Sequence, residues 1–164
     1  MNQVSLPSMT VLQYLAHIHQ LSYTQVCKEV GLTPQQFNDW VKKRRPIPKD
    51  RLQQLADYFH VEHEVLIDGQ HYLRDLTPEN TVDVQILFIQ QKLEREGEEE
   101  EKKAYEMKLV QLLQEKHKQV LIARFAAIIE LGGEKTIKHS EEWLSKAESM
   151  ANMSAPFSHQ EGEK

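Results

Sequence analysis

SYTQVCKEVGLTPQQFNDWVKKRR, residues 22–45, sets two short helix patterns on either side of a glycine and ends in four consecutive cations. Ser22 and Gln25 have capping-box spacing, so each can satisfy the other's end of the backbone at a helix start. The helix that follows stops at Gly31, the residue that most easily takes the left-handed conformation beyond a last turn. Thr33 then caps a second helix, Pro34 fits its first turn, and Gln36 closes a second capping box. Phe37, Trp40 and Val41 fall at i, i+3 and i+4 and give this helix a buried stripe. Gln35, Gln36, Asn38 and Asp39 form its polar face, read as exposed. The sequence RPIP at 45–48 blocks any continuation.

Working outward, TVLQYLAHIHQL (10–21) carries apolar residues at 11, 12, 15, 18 and 21, which is helical spacing. KDRLQQLADYFHV (49–61) places Leu52, Leu55, Ala56 and Phe59 on one face, and EHEVLIDG (62–69) adds a last turn ending at Gly69. Short helices joined by tight turns cannot bury their faces singly and must pack together. With no strand-like alternation and no Gly-rich phosphate loop, residues 1–75 read as an all-α bundle of five helices. Residues 76–148 read as a long-helix region. Thr77 and Pro78 start it, Val82, Ile86, Ile89 and Leu93 form one stripe, and a solvated junction falls near Gly97. Leu109, Leu112, Leu113, Val120, Ala127 and Ile128 form a second stripe, expected to be a dimer surface. A shorter helix, SEEWLSKAESM (140–150), follows LGGEK, and residues 149–164 read as a disordered tail.

Of 164 residues 40% are apolar and 27% charged, the profile of a globular chain. The longest largely apolar run, VLIARFAAIIEL (120–131), is too short to span a bilayer and contains Arg124. The first ten residues have no cationic start and no apolar core, so no signal peptide is expected. The single cysteine, Cys27, offers no intrachain disulfide and no zinc framework. These features point to a reducing, cytoplasmic location and to no membrane partner. No nucleophile–base–acid set, metal framework or phosphate loop stands out, so neither enzymatic chemistry, nor a metal, nor a cofactor is expected. The formal net charge is −5, unevenly spread. Residues 1–75 hold eight Lys/Arg and eight Asp/Glu, and half of those cations sit at 42–45.

Two helices joined through EVGLTP meet the demands of a helix-turn-helix. The first must carry a small residue where the second crosses it, here Cys27. The turn needs positive φ, here Gly31, and an apolar plug, here Leu32. The second helix needs a buried face and a polar face able to reach base edges, and Asn and Gln pair bidentately with adenine in the major groove. In this register residues 10–69 resemble the Cro- and lambda-repressor-like (XRE) family of helix-turn-helix domains. The resemblance rests on LSYTQVCKEVGLTPQQFNDWVKKRRPIP together with LQQLADYFHVEHEVLIDG. Lys43 stands where the family often has glycine, and Pro34 where many relatives carry a polar contact residue.

The resemblance implies a five-helix DNA-binding domain, usually dimeric and most often repressing transcription. On this reading Gln35, Gln36 and Asn38 contact bases, while Thr33, Lys42, Lys43, Arg44 and Arg45 contact phosphates. The expected partners are double-stranded DNA and a second copy paired through the C-terminal helices. A phage- or mobile-element-type repressor binding a palindromic operator fits best. The alternative is an antitoxin or other interaction module whose helical C-terminal half binds a protein partner, with DNA binding for autoregulation.

Overall fold

A computed structural model of the chain describes residues 9–95 and 97–153. Among these residues the fold is all-α. In chain order the helices are α1 (Val11–Ile18), α2 (Tyr23–Val30), α3 (Pro34–Val41), α4 (Lys49–Phe59), α5 (His63–Leu66), α6 (Pro78–Leu93), α7 (Glu99–Leu131) and α8 (Glu134–Met153). Thr10, Thr33 and Thr77 each close a reciprocal capping box, with Gln13, Gln36 and Asn80 respectively. Ser22 makes its own half of the expected box, accepting from the Gln25 N–H at 3.1 Å.

The first four helices all end in one way. A residue with positive φ follows the last turn, and the next N–H reaches back five residues to a helix carbonyl. The left-handed residues are Gln20, Gly31, Lys43 and His60, with φ of 57°, 67°, 52° and 52°. The returning bonds are Leu21 N to Ala16 O (2.9 Å), Leu32 N to Cys27 O (2.7 Å), Arg44 N to Asp39 O (2.8 Å) and Val61 N to Ala56 O (3.0 Å). An apolar side chain normally follows the left-handed residue and packs back on the helix. Leu21, Leu32 and Val61 do so, and all three join the core. At α3 the position is taken by Arg44.

The main core is dry and dense, with Leu12, Leu15, Leu55, Phe59, Leu66 and Leu73 at most 1% exposed. After α5 the chain doubles back through a tight turn. Asp68 N–H donates to Tyr72 O, and the Asp68 carboxylate accepts the N–H groups of Gln70 and Tyr72, which pull its pKa below the usual carboxylate range. Residues 74–76 then knit to the segment leading into α1. Val11 N–H donates to Arg74 O, Leu76 N–H donates to Met9 O, and Thr10 is left 1% exposed. This clasp, with bridges Thr10–Asp75 and Ile67–Leu73, has no counterpart in the alternation pattern of the sequence.

The packing continues past residue 75, where the sequence reading placed a boundary. Val84 on α6 is 1% exposed and belongs to the main core. Gln85 Nε2 donates to the Tyr14 hydroxyl at 2.7 Å, and Gln91 Nε2 donates to the carbonyls of Phe59 and His60. The opposite side of α6, Val82, Ile86 and Ile89, closes on Leu112 of α7, with Phe88, Tyr105 and Leu109 beside it. One compact unit therefore extends to His117, and a second begins at Lys118.

The second unit consists of the end of α7 and α8, joined at Gly132–Gly133. A Cβ on Gly132 would lie 2.6 Å from the Ile128 carbonyl oxygen and 2.5 Å from the Thr136 methyl, so only glycine fits there. Phe125 and Trp143 meet with ring centroids 5.9 Å apart. α8 starts at Glu134, six residues ahead of the expected Ser140, and runs to Met153, so residues 149–153 of the expected tail are helical. The rest of that tail, 154–164, lies outside the described residues. Among the described residues no helix is long and apolar enough to cross a membrane.

Candidate nucleic-acid interface

The α2–turn–α3 unit is built as its sequence requires. Gly31 takes φ 67° and ψ 35°; an added Cβ would meet nothing closer than 4.0 Å, so backbone conformation rather than space calls for glycine. Cys27 is 3% exposed beneath the crossing, and burial pushes its thiol pKa up, which makes it a packing residue and a poor nucleophile. Leu32 plugs the corner at 7% exposure. Phe37 and Trp40 are buried and Val41 packs beside them, while Tyr23 of α2 stacks on Phe37 at 5.1 Å.

The three amides expected to read bases stand in three different environments. Gln36 belongs to the helix cap: its Oε1 accepts from both Thr33 N–H (3.0 Å) and Thr33 Oγ1 (3.2 Å). An amide oxygen with both lone pairs engaged cannot also accept from adenine N6. Asn38 is half-buried and faces a hollow of about 220 Å³ between α2 and α3, together with Tyr23, Thr24 and Pro34. Gln35 alone of the three is exposed.

Asp39 departs most from expectation. Read as part of the exposed polar face, it is only 5% exposed in the fold. Its Oδ1 accepts from Gln35 Nε2 at 3.0 Å and from Arg44 Nη1 at 3.2 Å, and its Oδ2 takes Arg45 Nη2 at 3.0 Å. The two guanidiniums lie over the carboxylate, and the Arg44 and Arg45 side chains are 56% and 66% exposed. Arg44 is bound to Asp39 twice, through the backbone return of α3 and through the side chain. An ion pair thus replaces the apolar contact that closes the other helix ends.

Of the phosphate candidates, Lys42 is exposed and has no carboxylate partner among the described residues. Lys43 takes the left-handed position itself, so the exit from α3 keeps its geometry without glycine, and its Nζ meets Asp75 Oδ2 at 2.6 Å. Thr33 is committed to the cap, its hydroxyl accepting from Gln36 N–H at 3.2 Å. Two carboxylates face four cations, so the cluster keeps a surplus of positive charge. Sequence reading missed Asp75, which lies 32 residues from Lys43, and Arg51 of α4, whose Nη1 reaches Gly31 O at 3.4 Å. The repeating apolar pattern gives no signal for either pairing.

The expected dimer surface divides in two. Leu112 is buried and Leu109 partly buried against α6, so neither is open to a partner. Their stripe meets an intrachain neighbour because α6 presents apolar residues on two sides. Leu113, Val120 and Ile128 stay 45–50% exposed, and Ala127 is exposed as well. The open surface is richer than the sequence stripe, adding Ile122 (69%), Leu131 (89%) and Trp143 (61%). His60, His63 and His71 do not form a metal-binding group; among the described residues no three His, Cys, Asp or Glu side chains converge as one. No family model, curated protein or solved structure matches the chain.

Proposed function

We propose that this chain is a sequence-specific DNA-binding regulator of transcription, a repressor of the phage or mobile-element type that acts in the cytoplasm as a dimer on a palindromic site. The observation that carries the reading is one surface holding an exposed amide, Gln35, beside two guanidiniums, all three hydrogen-bonded or ion-paired to Asp39. Base edges are read by such amides, and phosphates are held by such cations. The XRE-like register of α2 and α3 supports the same reading. Gln35 is the base-reading residue, and Lys42, Arg44 and Arg45 are the phosphate contacts. Phosphate contacts make affinity fall steeply with salt. An acidic remainder weakens non-specific attraction, so binding depends on the site.

The second unit supports pairing of two copies. Leu121, Ile122, Ile129, Leu131, Trp143 and Leu144 are all exposed. Their exposure leaves apolar surface open to a partner, and a standard interface takes about 800 Å² from each side. Residues 118–153 hold five Lys/Arg and five Asp/Glu, so two copies would not repel each other. Pairing there places two recognition helices on one DNA molecule, with half-sites about 34 Å apart.

Selection of bound sequences from random DNA at two salt concentrations tests this reading. A recovered palindrome with a steep salt slope is the expected result, and the absence of any enriched motif overturns it. The same open apolar surface would also suit a protein partner in an antitoxin-type regulator. Stoichiometry separates the two, since the repressor reading requires a homodimer from the purified chain alone.

A further inference from the structure

We propose that Asp39 is a positioning residue that fixes Gln35 to read adenine and couples that reading to the phosphate clamp; this rests on the DNA-binding reading above. A carboxylate only accepts hydrogen bonds, so the Gln35 group facing it must be the Nε2 amino group. That contact uses one of the two Nε2 protons. The other proton and the Oε1 acceptor remain, and these are the donor and acceptor that pair with adenine N7 and N6 in the major groove. Asp39 therefore settles which way the amide points without using the atoms that read the base. A free glutamine would sample both orientations and discriminate less.

The same carboxylate seats the two arginines. Arg44 and Arg45 each give it one donor, at 3.2 Å and 3.0 Å, and more than half of each side chain stays open. A guanidinium has five donors, so each keeps four for phosphate oxygens. The negative charge also opposes phosphates wherever the guanidiniums are not aligned between them. Asp39 thus lowers affinity for DNA in general and sharpens it for the site where Gln35 and both arginines engage together. It raises the ratio of specific to non-specific binding at the expense of the non-specific term.

Asp39→Asn, Gln35→Ala and the double variant test the inference against wild type. Each is put through selection from random DNA, followed by affinity measurement on the selected site and on an unrelated duplex at one salt concentration. Asp39→Asn should relax the same base position as Gln35→Ala and lower the specificity ratio about tenfold or more, the loss of one bidentate base contact. Its affinity for the unrelated duplex should hold or rise, because a negative charge has gone. In the Gln35→Ala background Asp39→Asn should relax no further base position. A uniform loss on both duplexes, or an unchanged motif, overturns the inference, since a merely structural role would produce the first and no role the second. If Asp39→Asn fails to fold by circular dichroism, Gln35→Ala alone decides, and an unaltered adenine position overturns the proposal. A wild-type chain that selects no motif at all would overturn the DNA reading itself, a separate outcome.

Discussion

The two compact units solve the same problem in opposite ways. In the first, five short helices, the return segment 67–76 and α6 surround a common core, and every buried apolar residue among those described falls at or before Leu112. In the second, two longer helices bury no large apolar side chain and keep Ile122, Leu131, Trp143 and Met150 more than 60% exposed. Helix length is no measure of self-sufficiency. A helix pair has one shared face and cannot cover apolar residues on its other sides, whereas several short elements meeting at angles enclose a volume. The first unit encloses its apolar residues, and the second leaves its own exposed among the described residues.

The sharpest way to break this contrast is to truncate one leucine in each unit. Leu55→Ala, at a wholly buried site, should cost about 2–5 kcal/mol in urea unfolding. Leu131→Ala, 89% exposed, should stay within about 0.5 kcal/mol of wild type at concentrations where the chain is monomeric. Equal costs would mean that the second unit has a core of its own.

Next in size is association. Ile122→Glu with Trp143→Glu should weaken self-association more than tenfold, about 1.4 kcal/mol, in analytical ultracentrifugation, while the melting of the monomer is unchanged. Removing residues 118–164 should abolish the dimer and leave the first unit folded, because its buried residues all lie upstream. A dimer that survives either change places the contact elsewhere.

A smaller effect separates the units by pH. His19 lies against Phe59 and Phe88, and its Nε2 is buried with no hydrogen-bond partner among the described residues. Burial holds its pKa below the ordinary 6.5, and the nearby charges of Lys92, Arg95 and His60 push the same way. The unfolded chain takes up this proton near pH 6.5 and the folded chain only at lower pH. The stability due to neutral His19 is therefore complete above pH 6.5 and is lost as pH falls through 6.5 toward the folded value. Thermal melts from pH 8 to 5 should show this decline in wild type and a shallower one in His19→Gln. Identical slopes would remove His19 from the account.

The smallest effect concerns the exit of α3. Lys43→Gly relieves a left-handed non-glycine residue, about 1–2 kcal/mol, and removes an exposed Lys43–Asp75 pair contributing about 0–1 kcal/mol. A net gain of about 0–2 kcal/mol in unfolding free energy is expected. A clear loss would show that the lysine holds the segment around Asp75 in place.

What was legible in the sequence was local. Gly31, the Thr33–Gln36 cap and the Phe37–Trp40 stripe each act within four residues, and spacing alone reveals them. The junction near Gly97 was legible for the same reason. The inward turn of Leu109 and Leu112 was not, because it depends on α6 carrying a second apolar face. The early start of α8 was hidden because Gly132–Gly133 reads as the opening of a loop, although the helix resumes directly after it. Asp39 looked like surface because the side chains that cover it, Arg44 and Arg45, are polar. A pattern of apolar spacing cannot register burial beneath guanidiniums. Pairings such as Lys43–Asp75 join positions that only the finished fold brings together.

The clasp that joins residues 9–11 to 74–76 also orders events in time. Contacts such as α2 with α3 and α4 with α5 are short in sequence and can form while the chain is still emerging from the ribosome. The clasp cannot form then, since Met9 O and Val11 N wait for Leu76 N and Arg74 O to be synthesised and released. Until that moment the start of α1 has no backbone partner and the core has an open seam. A nascent chain released only as far as α5 would lack both bonds of the clasp.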